Sequence, residues 1–219
     1  TAPALLRRAI IQSCPADFEL TPRQAQDVRG LFLQKLNGDI DQVSPEEIVR
    51  AQLETMAATK IQIPFSPISP REEIQRDVVP HDILIVHTHD DAAPFVALRE
   101  MARNRRYGGV VTKLFARLMT ARVFGTPANK LARRYRREGK RVAQYEVMWR
   151  PKGAPLGATH CVELPLLLGD ESAWREAPML GVEHWRDIEP LGRELRRQWA
   201  AFARNGAHPS SSRILRQLG

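Results

Sequence analysis

The chain has 219 residues, 43% of them hydrophobic, enough to bury a core in one or two ordinary domains, and no compositional shift divides it into halves. There is no internal repeat, no low-complexity tract and no apolar run near the roughly 20 residues needed to cross a bilayer, which sets aside repeat arrays and helical membrane spans and leads us to expect no membrane partner. Two cysteines, Cys14 and Cys161, are too few for a disulfide framework, so a reducing, cytoplasmic setting is expected, while a net charge of +8 raises the question of a nucleic-acid partner.

The opening segment, Thr1 to Cys14, has no initiator methionine and no signal-peptide pattern, because its short apolar stretches are broken by Arg7 and Arg8. Leu20-Thr21-Pro22-Arg23-Gln24 starts a helix: Thr21 can cap it, Pro22 suits the first turn and Gln24 can reach back to the cap amide, with Ala25, Val28 and Leu31 on one face. Ser44-Pro45-Glu46-Glu47 repeats the device, with Val49, Leu53 and Met56 forming a packing stripe behind it. Ile63 to Pro70 is rich in proline and reads as an extended linker within a domain.

Asp82 to Val86 is a short β-branched strand that runs into His87-Thr88-His89-Asp90-Asp91, a polar loop with two carboxylates. Pro94 to Met101 and Val110 to Phe124 have helical spacing, and Leu114, Phe115 and Leu118 are expected in the core. Thr126-Pro127-Ala128-Asn129 opens another helix, closed by Gly139, whose last turns hold Arg133, Arg134, Arg136, Arg137 and Lys140, charges that complement the helix dipole. Only Tyr135 could stack on a base there, so the cluster reads as a solvated helix end and no nucleic-acid partner is expected.

Val142 to Trp149 alternates as a strand does, with Ala143, Tyr145, Val147 and Trp149 on one side. Eight residues later, Gly157-Ala158-Thr159-His160-Cys161-Val162-Glu163-Leu164-Pro165 sets a histidine between a glycine-containing loop and an apolar run. The last helix runs from Pro190 to Arg204, with Leu191, Leu195, Trp199 and Phe202 as its stripe and Gly206 as its terminator.

Four of these segments resemble type-B carboxylesterases, and they occur in that family's order. Gly157, Ala158, His160, Glu163 and Leu164 match a Gly-Ala-x-His-x-x-Glu-Leu loop. The strand ending at Asp90-Asp91 looks like the family's acid loop, Leu5 to Cys14 resembles its Leu-Phe-x-Arg-Ala-Ile-x-Gln-Ser-Gly stretch with Cys14 in place of glycine, and Trp199 to Gly206 resembles its carboxyl-terminal Trp-x-x-Phe-x-x-x-Gly helix. The resemblance runs from Leu5 to Gly206 and is thinner between Asn37 and Val79.

This resemblance implies an α/β fold, the carboxyl-terminal part of an α/β-hydrolase, mostly helical with the last strands of the central sheet. Residues 1–219 would be the carboxyl-terminal portion of a single carboxylesterase domain. It further implies ester hydrolysis by a Ser-His-acid triad without a cofactor, with His160 as general base and Asp91 as the acid. The family usually has Glu at that place, and Asp90 remains a competing candidate.

There is no Gly-x-Ser-x-Gly in these residues, and none of Ser13, Ser66, Ser69 and Ser172 sits in such an elbow. The nucleophile-bearing part is therefore expected outside this chain, as a complementing amino-terminal part of the same protein, and the partner of the completed site would be a small-molecule ester. A non-catalytic esterase-like binding module is the second reading. A third comes from His87-x-His89-x-Asp91, which resembles the zinc-ligating signature of metallo-β-lactamase-type hydrolases but has Ala92 where that signature ends in histidine. The main reading expects no metal.

Overall fold

The computed structural model describes residues 6–16, 18–36, 38–61, 64–68, 80–102 and 105–218. Leu5, Ser69 and residues 63, 69 and 70 of the expected linker lie outside them. The chain forms two compact units, Asp17–Arg76 and the remainder, Thr1–Ala16 with Asp77–Gly219.

The smaller unit holds helices α1 (Pro22–Leu36) and α2 (Pro45–Ala58). Both starts are capped as their sequences require: the Thr21 amide donates to Gln24 Oε1 at 2.9 Å, and the Ser44 amide donates to Glu47 Oε2 at 2.9 Å. The expected stripe of α2 does not pack, since Val49, Leu53 and Met56 are exposed and the buried positions are Ala51 and Thr55. Periodicity located an apolar face, but small side chains occupy the face that is covered. Leu20 bridges Ile68 in parallel, closing this unit on itself.

The larger unit is built on a four-stranded sheet in the order β1 (Arg8–Gln12), β2 (Asp82–Thr88), β3 (Arg141–Val147), β4 (Leu215–Leu218). The first three strands are parallel and β4 is antiparallel to β3. All seven residues of β2 are buried, as befits a parallel strand covered on both faces. Strands β1 and β4 carry too few alternating residues to be recognised alone; each is a strand because a neighbour supplies its ladder.

On one face, Leu84, Val86, Ala143, Tyr145 and Val147 pack on Ile188, Leu191, Leu195, Trp199 and Phe202 of α8 (Trp185–Asn205). On the other, Ile83 and Ile85 pack on Ala128 and Ala132 of α5 (Thr126–Arg137). The stripe read from the sequence for the last helix is thus buried, and Gly206 ends it in the left-handed conformation at φ 75°. The helix begins five residues before the expected Pro190 and takes that proline into its interior.

Helices α3 (Ala93–Ala102) and α4 (Val110–Thr120) follow β2. Of the expected core positions on α4, Leu114 and Leu118 are 66% and 63% exposed; Ala116 and Thr120 are buried and Phe115 is half-buried. The covered side of α4 presents Ala116 and Thr120, and Phe115 and Met119 pack, half-buried, against Ala93, Val96 and Ala116. A π-helical turn, Ala121–Gly125, joins α4 to α5 without a break, so Thr126 continues a helical path and no side chain caps it. Two short helices, α6 (Leu164–Leu167) and α7 (Glu171–Trp174), lie between β3 and α8.

At the amino ends of the strands Asp82 is 3% exposed and accepts from Arg8 Nε at 3.0 Å and from Arg141 Nε at 2.7 Å. Burial alone would raise its carboxyl, but the Arg141 hydrogen bond and charge, then those of Arg8, hold it below the usual aspartate range. A depressed carboxylate contributes stability above its unfolded value of about 3.9 and loses it as pH falls through the folded value. Asp82→Asn should therefore lower unfolding free energy by about 1.5–3 kcal/mol at pH 7, as charge-assisted hydrogen bonds of this kind contribute. Urea denaturation should show that loss and should show it shrinking in strong acid.

Candidate active site

The parallel ladder between β2 and β3 ends with Thr88 beside Val147, so the loops that follow both strands leave the same edge of the sheet. Asp90 then ties the loops together. Its amide donates to the Ala158 carbonyl at 2.9 Å, the Ala158 amide donates to Asp90 Oδ2 at 3.0 Å, and Arg150 Nε donates to the same oxygen at 3.0 Å. Gly157 is required here: it sits at φ 66°, and a Cβ on it would lie 2.5 Å from Asp90 Oδ2. Asp90 is thus engaged with Arg150 and the loop backbone, not with the imidazole.

Asp91 is fully buried and faces the histidine: His160 Nδ1 lies 2.6 Å from Asp91 Oδ1. The other carboxylate oxygen accepts from Ser13 Oγ at 2.7 Å and from the Thr88 amide at 3.0 Å. A proton on Nδ1 satisfies this carboxylate and leaves Nε2 as the basic nitrogen. The hydrogen bond that Nδ1 donates to Asp91 raises the imidazole above its ordinary range; burial opposes it, and the charges of Asp91 and Glu163 add to it.

Two aromatic rings confine the imidazole. Phe95, on α3, has its centroid 5.4 Å from that of His160, and Phe124 lies 5.6 Å away. Phe124 is carried by the π-helical turn, a rare element that shifts the helix register and so sets which side chain faces the histidine. The histidine loop itself turns through Cys161 at φ 65°.

Glu163, three residues on, is buried. Gln12 Nε2 donates to its Oε1 at 2.9 Å, and Trp199 Nε1 donates to Gln12 Oε1 at 3.0 Å, linking the loop to β1 and α8. Burial pushes the Glu163 carboxyl up, and the nearby Asp91 charge adds to this while the Gln12 hydrogen bond and His160 oppose it.

The residues singled out from the sequence therefore part ways. His160 and Asp91 meet across 69 positions of sequence. The three residues of the zinc-like pattern do not converge: His87 lies in β2 against Gly125, His89 Nδ1 is 2.8 Å from Glu146 Oε1, and Asp91 faces His160. Among the described residues no group of three His, Cys, Asp or Glu could hold a metal ion. Ser13 was visible in the Gln12-Ser13-Cys14 stretch, but no sequence signal links it to a carboxylate 78 residues away.

No family model matches the chain. A Rhodococcus erythropolis protein, named as a probable N-octanoylanthranilate hydrolase, is 28% identical over 94% of this chain and 50% of its own length. Among solved structures, a thermophilic PNB esterase superposes with a TM-score of 0.66 at 20% identity, covering 96% of this chain and 51% of the esterase. The Geobacillus stearothermophilus carboxylesterase EST55 gives 0.63 at 20% identity, over 95% of this chain and 50% of that one. The chain spans about half the length of each of these proteins.

The contact between Asp91 and His160 can be read in solution. Asp91→Asn should lower the midpoint at which the His160 ring protons titrate by nuclear magnetic resonance, because the largest raising influence is removed; an unchanged midpoint would show that the carboxylate does not set it. The resemblance to type-B carboxylesterases agrees with these structural neighbours, and the fold is the carboxyl-terminal part of an α/β-hydrolase.

Proposed function

We propose that the protein of which this chain is the carboxyl-terminal portion hydrolyses carboxylic esters with a Ser-His-Asp triad, and that this chain supplies the acid, Asp91, and the base, His160. The observation that carries the proposal is the 2.6 Å contact between a buried carboxylate and Nδ1 of an imidazole that is 29% exposed. Such an imidazole is oriented on one side and open to a reactant on the other. The serine belongs to the part of the polypeptide that these residues lack.

In this mechanism the serine oxygen bonds to the ester carbonyl carbon as His160 Nε2 takes its proton. The tetrahedral intermediate collapses, the alcohol leaves with the proton returned by His160, and water repeats the sequence on the acyl-enzyme. Asp91 stabilises the imidazolium formed at each step. Ser13 and the Thr88 amide keep that carboxylate from turning, and Phe95 and Phe124 keep the ring from swinging away. The name of the Rhodococcus relative extends the same acyl chemistry to an N-acyl bond.

The edge of the sheet supports a complementing part. Strand β1 has no neighbour on its outer side among the described residues, and a parallel sheet is ordinarily buried at its centre. The apolar residues Leu98, Met101, Val110, Val111, Leu114 and Leu118 are exposed on α3 and α4, beside the site. We assign both surfaces to the amino-terminal part of the same domain. The alternative of a non-catalytic binding module has no use for an oriented acid-histidine pair.

His160→Ala in the full polypeptide should lower kcat for p-nitrophenyl acetate by about 10³-fold or more, and Asp91→Asn by up to about 10⁴-fold, as in other triads. The 219-residue chain alone should not turn over that ester, because it holds no Gly-x-Ser-x-Gly elbow to supply the nucleophile. Full activity in His160→Ala, or turnover by the chain alone, would refute the proposal.

A further inference from the structure

Behind the acid loop lies a cleft of about 200 Å³ lined by Asp90, Tyr107, Lys113, Arg117, Arg150 and the segment 154–157. It is smaller than the roughly 300–1,000 Å³ of a pocket that encloses a whole ligand, so it suits one end of a molecule. Its charge is lopsided: three cationic side chains face one carboxylate.

That carboxylate is already committed. Asp90 Oδ2 accepts from Arg150 Nε and the Ala158 amide at 3.0 Å each, and Arg150 Nη2 reaches Oδ1 at 3.4 Å. Arg117 Nε stands 4.0 Å from Oδ1, at the limit of an ion pair, and its side chain is 59% exposed. Lys113 has no ion pair among the described residues. Lys113 and Arg117 are also four residues apart on α4, where like charges share a face and repel. Two cations thus line one cleft from one helix face, neither with a full counter-charge among the described residues. Tyr107 adds a phenol whose proton is held firmly, its ionisation pushed up first by burial and then by the Asp90 charge. A neutral phenol can donate to an anion.

The cleft adjoins the catalytic loops by sequence and by contact, because Asp90 precedes Asp91 and Gly157 lies three residues before His160. We propose that Lys113 and Arg117, with Tyr107, bind a carboxylate on the substrate at a point away from the scissile bond, so that the protein prefers acyl compounds bearing an acid group. This substrate preference rests on the proposed hydrolase function. Arg150 keeps its place on Asp90 and acts as a positioning residue for the histidine loop.

The test compares two esters of similar size on the full polypeptide: mono-p-nitrophenyl glutarate, which carries a free carboxylate, and p-nitrophenyl valerate, which does not. The variant is Lys113→Gln with Arg117→Gln. For the anionic ester kcat/KM should fall about tenfold or more, through KM, because charge-assisted hydrogen bonds to the carboxylate are lost, while the neutral ester changes by less than about twofold. Retained turnover of the neutral ester also shows that the variant is folded. Equal loss for both esters, or no loss for either, would overturn the proposal.

If the wild-type protein hydrolyses neither ester, the hydrolase reading fails separately, and calorimetric titration with sodium benzoate and with inorganic phosphate then decides the site. Saturable benzoate binding that the double variant abolishes supports a carboxylate site. No saturable binding, or binding of phosphate alone, rejects it.

Discussion

The parallel pairing of β2 with β3 is the constraint on which the site depends. Parallel strands point their carboxyl ends the same way, so the two loops that carry Asp91 and His160 leave one edge as neighbours. Sheet register alone would place them only near each other. Asp90 sharpens the placement by accepting from the Ala158 amide and from Arg150, and the close approach is possible only because residue 157 lacks a Cβ. The neighbouring carboxylates thus divide the labour: Asp90 fixes the loops, and Asp91 fixes the imidazole.

Charge is arranged around the sheet at both ends. At the amino ends of the strands, Asp82 gathers Arg8 and Arg141, and Arg8 also donates to the Ala203 and Arg204 carbonyls at the end of α8. Those bonds satisfy carbonyls that a helix end leaves without partners. At the carboxyl ends, Glu146 is paired with His89 and with Arg216 of β4, which binds the antiparallel strand to the sheet. The basic cluster at the end of α5 is exposed, and Arg136 and Arg137 donate to backbone carbonyls there. Several of the basic side chains thus serve helix ends and strand ends, and the cleft behind Asp90 differs in holding cations that lack full partners among the described residues.

Much of the fold was legible where local chemistry acts alone. Both capping boxes, the glycine terminators at Gly139 and Gly206, the stripe of α8 and the alternation of β3 follow from spacing and turn chemistry. The misreadings share a cause. Val49, Leu53 and Met56 on α2, and Leu114 and Leu118 on α4, have the right period but lie on faces that nothing in the described residues covers. Period shows that a face is apolar and cannot show which neighbour arrives. Strands β1 and β4 were missed because their ladders come from elsewhere in the chain.

The sequence by itself determined the identities of the chemical groups: a histidine in a glycine loop, two adjacent carboxylates after a strand, and a serine after Gln12. It also named the family that the chain resembles. Which of Asp90 and Asp91 faces His160, the engagement of Ser13 with Asp91, and the aromatic walls around His160 were decided by tertiary structure. The reason is physical: each is a contact between residues tens of positions apart, set by strand register and helix phase to within an ångström, and no local pattern encodes such a distance.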